Sequence, residues 1–195
     1  MLRIEHGPKS RGAENFWHSD VTWRMKPSLG SVLRAHEVPS AGGDTLFANM
    51  ALAYNRFPDV TKEKIHDCVA VHDIARVFAS RLNKKPEELH ELYPPVEHPV
   101  VRTHPETKES VVYVNGAFTS HIKGMEAKES RRLLDTLYKS AWDPEIQCRF
   151  QWQAGSIAFW DNRACQHFAV SDYFPAVRVM ERVTIAGDKP YFDNR

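Results

Sequence analysis

The sequence has few of the features that mark secreted, membrane or nucleic-acid-binding proteins. Its three cysteines, Cys68, Cys148 and Cys165, are scattered and odd in number, which suits neither a disulfide framework nor a zinc site. No apolar run reaches the length of about 18 residues that a membrane helix needs, and the polar start at Met1 is unlike a signal peptide. The net charge of +1 gives no reason to expect nucleic acid or a membrane as a partner. These absences predict a cytoplasmic globular protein.

The triplet His18-Ser19-Asp20 is the first chemical signal in the chain. It lies in an aromatic and β-branched stretch that predicts a strand over residues 16–23. Because side chains two apart on a strand point to the same face, the imidazole and the carboxylate would be directed at one point. A helix cap or a surface pair is the alternative interpretation of the triplet alone.

A later histidine, His167, precedes a strand predicted over residues 177–186. Arg178 and Arg182 share one face of that strand, about 13 Å apart, and suit a cavity that holds two anions. The other, apolar face, which includes Val183, is expected to pack against the body of the protein. Two solvated arginines on an edge strand are the alternative.

Two histidines and one carboxylate match the ligand set of non-haem Fe(II) oxygenases, which covers one face of the ion and leaves the other open. A zinc hydrolase could use the same ligands, but it would leave a cosubstrate arginine without a role. The glycines of Gly42-Gly43-Asp44-Thr45 allow positive φ and a close backbone approach. The Thr45 hydroxyl could then bond a cosubstrate carboxylate, although this stretch alone indicates only a turn.

Several stretches, in order along nearly the whole chain, resemble the taurine dioxygenase family of Fe(II)- and 2-oxoglutarate-dependent oxygenases. They are residues 17–22, 39–45, 98–105, 160–163, 172–175 and 187–190, together with His167, Arg178, Met180 and Arg182. The resemblance implies Fe(II) as cofactor, 2-oxoglutarate as cosubstrate and O2. It implies three catalytic iron ligands, which are His18, Asp20 and His167. It further implies that Thr45 and Arg178 hold the two ends of 2-oxoglutarate, and that the substrate contacts Arg182, Trp23 and Phe118.

The implied reaction is hydroxylation of a small anionic substrate, foremost a sulfonate such as taurine, giving sulfite, an aldehyde, succinate and CO2. Alkyl sulfate esters and aryloxy-carboxylates are the alternative substrates. Related halogenases lack the carboxylate that Asp20 supplies, so its presence favours hydroxylation. Glu14 falls where the taurine enzyme has a polar substrate contact, and an acidic side chain there would repel a sulfonate.

Family members carry a longer segment before the His-x-Asp motif, so this chain is expected to lack an N-terminal portion. A non-catalytic jelly-roll fragment is therefore the alternative from another class of protein. Association with further copies of the chain is left open.

Short strands dominate the predicted secondary structure, and they favour a mainly β fold with flanking helices, a double-stranded β-helix or jelly roll. Strands are predicted over residues 30–38, 45–47, 146–152, 156–160 and 165–170, with a hairpin of residues 98–104 and 110–114. Helices are predicted from the cap Asn49 to Phe57 and over residues 126–142. We expect one catalytic domain over residues 1–195, with residues 58–95 as a candidate lid or insert.

Overall fold

The computed structural model describes residues 1–193 as a mainly β protein with flanking helices. The strands are Leu2–His6 (β1), Ser28–Glu37 (β2), Thr45–Asn49 (β3), Val69–His72 (β4), Val96–Pro99 (β5), Val101–Thr103 (β6), Ser110–Val112 (β7), Thr119–Ile122 (β8), Gln147–Phe150 (β9), Ile157–Asp161 (β10), Cys165–Ala169 (β11) and Arg178–Ala186 (β12). The α-helices are Met50–Arg56 (α1), Asp59–Ile65 (α2), Ala75–Arg81 (α3), Pro86–Leu92 (α4) and Ala127–Lys139 (α5).

Two antiparallel sheets enclose one part of the core. The larger sheet has the strand order β1-β12-β2-β10, and the smaller has the order β11-β3-β9. Their inner side chains, including Leu33, Trp160 and Met180, form one buried apolar cluster together with the nearby Trp152. The two sheets pack face to face, with the inner face of each toward the core, which is the pattern that a jelly roll requires. The predicted fold class is confirmed.

The two predicted helices are also confirmed. The side chain of Asn49 accepts hydrogen bonds from the amides of Ala51 and Leu52 and so caps α1. Along α5, Leu133, Leu134 and Leu137 recur on one buried stripe. A 3-10 turn, Ser140–Trp142, completes the predicted length.

The strand predicted over residues 16–23 is wrong. His18 makes only an isolated bridge, and residues 20–23 form a turn in which Val21 has a φ of 51°. Tertiary contacts cause this, because His98 lies 2.9 Å from the carbonyl oxygen of Thr22 and 3.0 Å from that of Arg24. Such contacts from a distant strand outweigh local β propensity.

The apolar face predicted for the last strand packs against the body only in its first part. In β12, Val179 on that face is buried, whereas Val183 and Ile185 are 47% and 39% exposed. The opposite face behaves in the same way, because Arg178 and Met180 are buried. Burial therefore changes along β12 and not between its two faces, and a period-two pattern does not reveal such a change.

Residues 58–95 are not a single insert. β4 is the central strand of a buried three-stranded sheet, β5-β4-β8, so the first part of this segment belongs to the core. The later part, α3 and α4, lies outside that sheet, and its role as a lid stays a prediction. No helix within residues 1–193 combines the length and the apolar character that a membrane crossing requires.

Candidate metal centre

Three buried side chains meet at one point, although they come from distant parts of the chain. Nε2 of His18 and Nε2 of His167 each lie 3.8 Å from Oδ1 of Asp20. One ligand atom from each residue falls within 4.8 Å of the other two, and no other such group is found in the described part of the chain. The sequence therefore predicted correctly which three side chains come together.

The backbone brings the two histidines together. His18 and His167 form an antiparallel bridge, with N–H to carbonyl distances of 3.1 Å and 2.8 Å in the two directions. Their imidazole centroids are 4.2 Å apart. A residue pair joined by backbone hydrogen bonds in both directions has fixed Cα–Cβ directions. The relative placement of the two imidazoles therefore does not depend on a strand around His18.

The protonation states favour a cation. Nδ1 of His18 lies 2.9 Å from the carbonyl oxygen of Phe16, which assigns the proton to Nδ1 and leaves the lone pair of Nε2 on the site. Burial lowers the pKa of His18. Burial and the nearby imidazole of His18 together lower the pKa of His167 to about 3. Both imidazoles are therefore neutral at pH 7.

The carboxylate completes this donor set. Burial raises the pKa of Asp20, but His167 and Arg182 outweigh that effect and lower this pKa to about 2. Two neutral imidazoles and one ionised carboxylate fit the set that non-haem Fe(II) takes in proteins.

Asp20 also contacts Arg182, which the sequence did not indicate. Nη1 of Arg182 lies 3.2 Å from Oδ1 of Asp20, the oxygen that faces the two histidines. Arg182 is therefore not an unpaired cation in the structure, because Asp20 already contacts it. An anion from outside the protein would share this guanidinium with Asp20. The two residues are far apart in the chain, so no periodic pattern reveals their contact.

A cavity of about 320 Å³ opens beside the three residues. The other side chains that the sequence singled out also line it: Thr45, Arg178, Arg182, Trp23 and Phe118. Apolar and aromatic side chains make up much of its wall, with a few polar groups between them. This composition is typical of a small-molecule site.

Arg178 and Thr45, which both line the cavity, are held in place by hydrogen bonds within the protein. Nε of Arg178 donates to the carbonyl oxygen of Gly43 at 3.1 Å, so one edge of the guanidinium is fixed by the backbone. The hydroxyl of Thr45 accepts a hydrogen bond from the indole of Trp152 at 3.0 Å, which leaves the hydroxyl proton free to donate. Gly42 and Gly43 have φ values of +81° and +74°, as the paired glycines predicted.

The rim of the cavity holds an ion pair that the sequence did not identify. Nη1 of Arg81, from α3, lies 3.3 Å from Oε1 of Glu14. The guanidinium also lies 5.5 Å from the ring centroid of Phe16. Glu14 had been singled out as an isolated acid, but nothing local in residues 58–95 indicated a partner for it.

Comparison with known proteins agrees with this geometry. The family described as "Taurine catabolism dioxygenase TauD, TfdA family" matches residues 3–184. The chain belongs to this family, whose members share the jelly-roll fold found here.

Three relatives illustrate the range of the family. The chain is 37% identical to the alpha-ketoglutarate-dependent sulfate ester dioxygenase of Pseudomonas putida, over 97% of this chain and 65% of that one. It is 32% identical to the alpha-ketoglutarate-dependent 2,4-dichlorophenoxyacetate dioxygenase of Burkholderia sp. (strain RASC), over 90% of this chain and 59% of that one. A crystal structure of a taurine dioxygenase from Burkholderia xenovorans matches with a TM-score of 0.81 and 37% identity, over 96% of this chain and 64% of that one. The chain thus spans about two thirds of these proteins or less.

Proposed function

We propose that the chain is an Fe(II)- and 2-oxoglutarate-dependent dioxygenase that hydroxylates a small anionic substrate, foremost a sulfonate such as taurine. The observation that carries the proposal is the buried group of His18, Asp20 and His167 at the wall of a cavity that also contains Arg178. A zinc hydrolase accounts for the three ligands but gives Arg178 no task.

Each side chain has a defined part in this reaction. The two neutral imidazoles and the carboxylate would hold the ion, as two histidines and a carboxylate do in non-haem iron oxygenases. When bound, Fe(II) supplies the oxidising chemistry that uses O2 to convert 2-oxoglutarate to succinate and CO2 and to hydroxylate the substrate. Arg178 would bind the far carboxylate of 2-oxoglutarate by charge-assisted hydrogen bonds. Thr45 and Arg178 both lie beside Trp152, so Thr45 would donate to the same end of 2-oxoglutarate and not to the opposite end.

The rest of the cavity would hold the substrate. Trp23 and Phe118 would form apolar walls, and Arg182 would receive the anionic head group through donors that Asp20 does not engage. The ion pair between Glu14 and Arg81 balances the charge of Glu14, so the repulsion expected for a sulfonate is largely offset. A substrate positioned in a largely apolar cavity is what the protein would contribute to the reaction.

Alkyl sulfate esters are the second candidate, because a relative at 37% identity is described as a sulfate ester dioxygenase. Aryloxy-carboxylates are supported by a relative at 32% identity. The products separate the three classes, since hydroxylation of the carbon beside the leaving group releases sulfite, sulfate or a phenol respectively. A cytoplasmic location, self-association and the lack of nucleic-acid and membrane partners stay predictions.

The test is a substrate panel on the protein loaded with Fe(II) under nitrogen and then exposed to O2 and 2-oxoglutarate. We expect sulfonates to stimulate succinate formation, with matching release of sulfite. Arg182→Ala should suppress sulfite release and leave slow succinate formation, whereas Arg34→Ala, on the outer face of β2, should behave as the parent does. Sulfate release from sulfate esters, in place of sulfite, would move the second candidate ahead. If no panel member is oxidised and 2-oxoglutarate is not consumed, the proposal fails.

A further inference from the structure

The two carboxylate oxygens of Asp20 have different surroundings. Oδ1 faces the two imidazoles, each at 3.8 Å. Oδ2 points away from them and accepts a hydrogen bond of 2.6 Å from the hydroxyl of Ser31, a fully buried residue of β2. This length is typical of a hydroxyl bound to an ionised carboxylate.

The direction of that hydrogen bond follows from Asn162. Its Oδ1 lies 3.0 Å from the indole nitrogen of Trp160 and 3.3 Å from the amide nitrogen of Asp20. Both of these groups can only donate, so the Asn162 atom between them is the oxygen. Its Nδ2 therefore faces Ser31 and donates to that hydroxyl at 3.3 Å. Since the Ser31 oxygen accepts from the amide, its one proton is directed to Asp20.

We propose that Ser31, oriented by Asn162, is a positioning residue that keeps Asp20 a ligand through one oxygen only. This inference rests on the metal site assigned under the proposed function. A carboxylate that gives an ion both of its oxygens takes up two coordination positions. By engaging Oδ2, Ser31 leaves one more position open on the cavity side of the ion.

The two oxygens differ in what holds them. Arg182 contacts Oδ1 from the cavity side, whereas the Oδ2 contact comes from the interior of the larger sheet. Without the Ser31 hydroxyl, Oδ2 would be a buried anionic oxygen that has lost its neutral donor. Turning toward the ion is then the way for Oδ2 to recover a partner.

The test is Ser31→Ala, read without turnover on metal-free protein loaded with Mn(II). Broadening of the Mn(II) electron paramagnetic resonance lines in ¹⁷O-enriched water counts the water molecules on the ion. We expect about three waters on the parent and about two on Ser31→Ala, from octahedral coordination. Turnover of 2-oxoglutarate should fall roughly 10- to 100-fold, as is typical when a partner of a metal ligand is lost.

The matched control is Ser130→Ala, which also removes a fully buried hydroxyl, one that accepts from the amide of Ile122 at 2.8 Å. It should keep the parent water count. If Ser31→Ala binds Mn(II) with the parent water count, the inference is overturned even where affinity falls, while the metal site stands. If the parent binds no Mn(II), or Asp20→Ala binds it equally well, the site assignment fails and the inference fails with it.

Discussion

Arg178 lies directly against the backbone of Gly43. Its Nε donates to the carbonyl oxygen of Gly43 at 3.1 Å, and a Cβ built on Gly43 would lie 3.2 Å from Cδ of the arginine. Gly43 also has a φ of +74°, a region that side chains other than glycine seldom adopt. One residue thus satisfies two separate demands, a backbone conformation and the space that the guanidinium stem needs.

Gly43→Ala is expected to lower stability and to weaken 2-oxoglutarate binding. The control is Gly124→Ala, because Gly124 has the same φ of +74° but nothing within 4 Å of its built Cβ. Both variants should lose about 1–3 kcal/mol of unfolding free energy in urea through backbone strain. Only Gly43→Ala should raise the 2-oxoglutarate concentration for half-maximal turnover. Equal 2-oxoglutarate requirements in the two variants would contradict the role given to this contact.

Arg178→Ala should raise the 2-oxoglutarate requirement far more than the requirement for the primary substrate. Loss of one partner of a buried charge-assisted pair costs about 2–5 kcal/mol, which is roughly 30- to several-thousand-fold in affinity. Steady-state kinetics with each substrate varied in turn measure the difference. Arg34→Ala, on the same sheet but exposed, should match the parent. An unchanged 2-oxoglutarate requirement would place the clamp elsewhere.

His18→Ala, Asp20→Ala and His167→Ala should each abolish 2-oxoglutarate turnover and leave little bound iron. Each removes one of three protein ligands, and a facial site does not survive with two. Metal analysis after anaerobic loading and desalting gives the iron content. His121→Ala, which removes an exposed imidazole away from the cavity, should retain full iron. Near-normal iron in any of the three variants would exclude that residue as a ligand.

His98→Gln should reduce the loss of stability in mild acid. Burial lowers the pKa of His98 to about 4 from an ordinary value of 6.5, so the unfolded chain binds a proton more readily than the folded protein does. Stability from this group is complete above pH 6.5 and is lost as the pH falls toward 4, by about 1.4 kcal/mol per pH unit and about 3 kcal/mol in all.

Glutamine keeps an amide donor for the carbonyl groups of Thr22 and Arg24 but does not titrate. Urea unfolding of parent and variant at several pH values between 4.5 and 6.5 compares the two slopes. His72, whose pKa burial lowers well below its ordinary value, should preserve part of the dependence in the variant. Parallel slopes for parent and variant would show that His98 is not the titrating group.

The sequence predicted those parts of the fold that depend on neighbouring residues. The leucine stripe of α5 is periodic, and the cap at Asn49 needs only the next few amides. The resemblance to a known family then supplied the three ligand residues, and the structure does bring them together.

The features that the sequence missed depend on contacts between distant segments. The turn after Asp20 is held by His98, far along the chain, so the local aromatic pattern was misleading there. The ion pair of Arg182 with Asp20 joins two residues that are far apart in the chain, so no local pattern indicates it. Ser31 is one of several polar residues in β2, and only the geometry relates its hydroxyl to the site.

The contact between Arg182 and Asp20 makes two binding events depend on one another. A divalent cation at this site and the guanidinium would both contact Oδ1 of the same carboxylate, and an anionic head group would compete with that carboxylate for the guanidinium. An anion bound to Arg182 would therefore change how strongly Asp20 holds the ion. Thermodynamic reciprocity requires that the ion change the anion's affinity by the same factor. The strength of this coupling is a property of one ion pair, and it can be measured from either side.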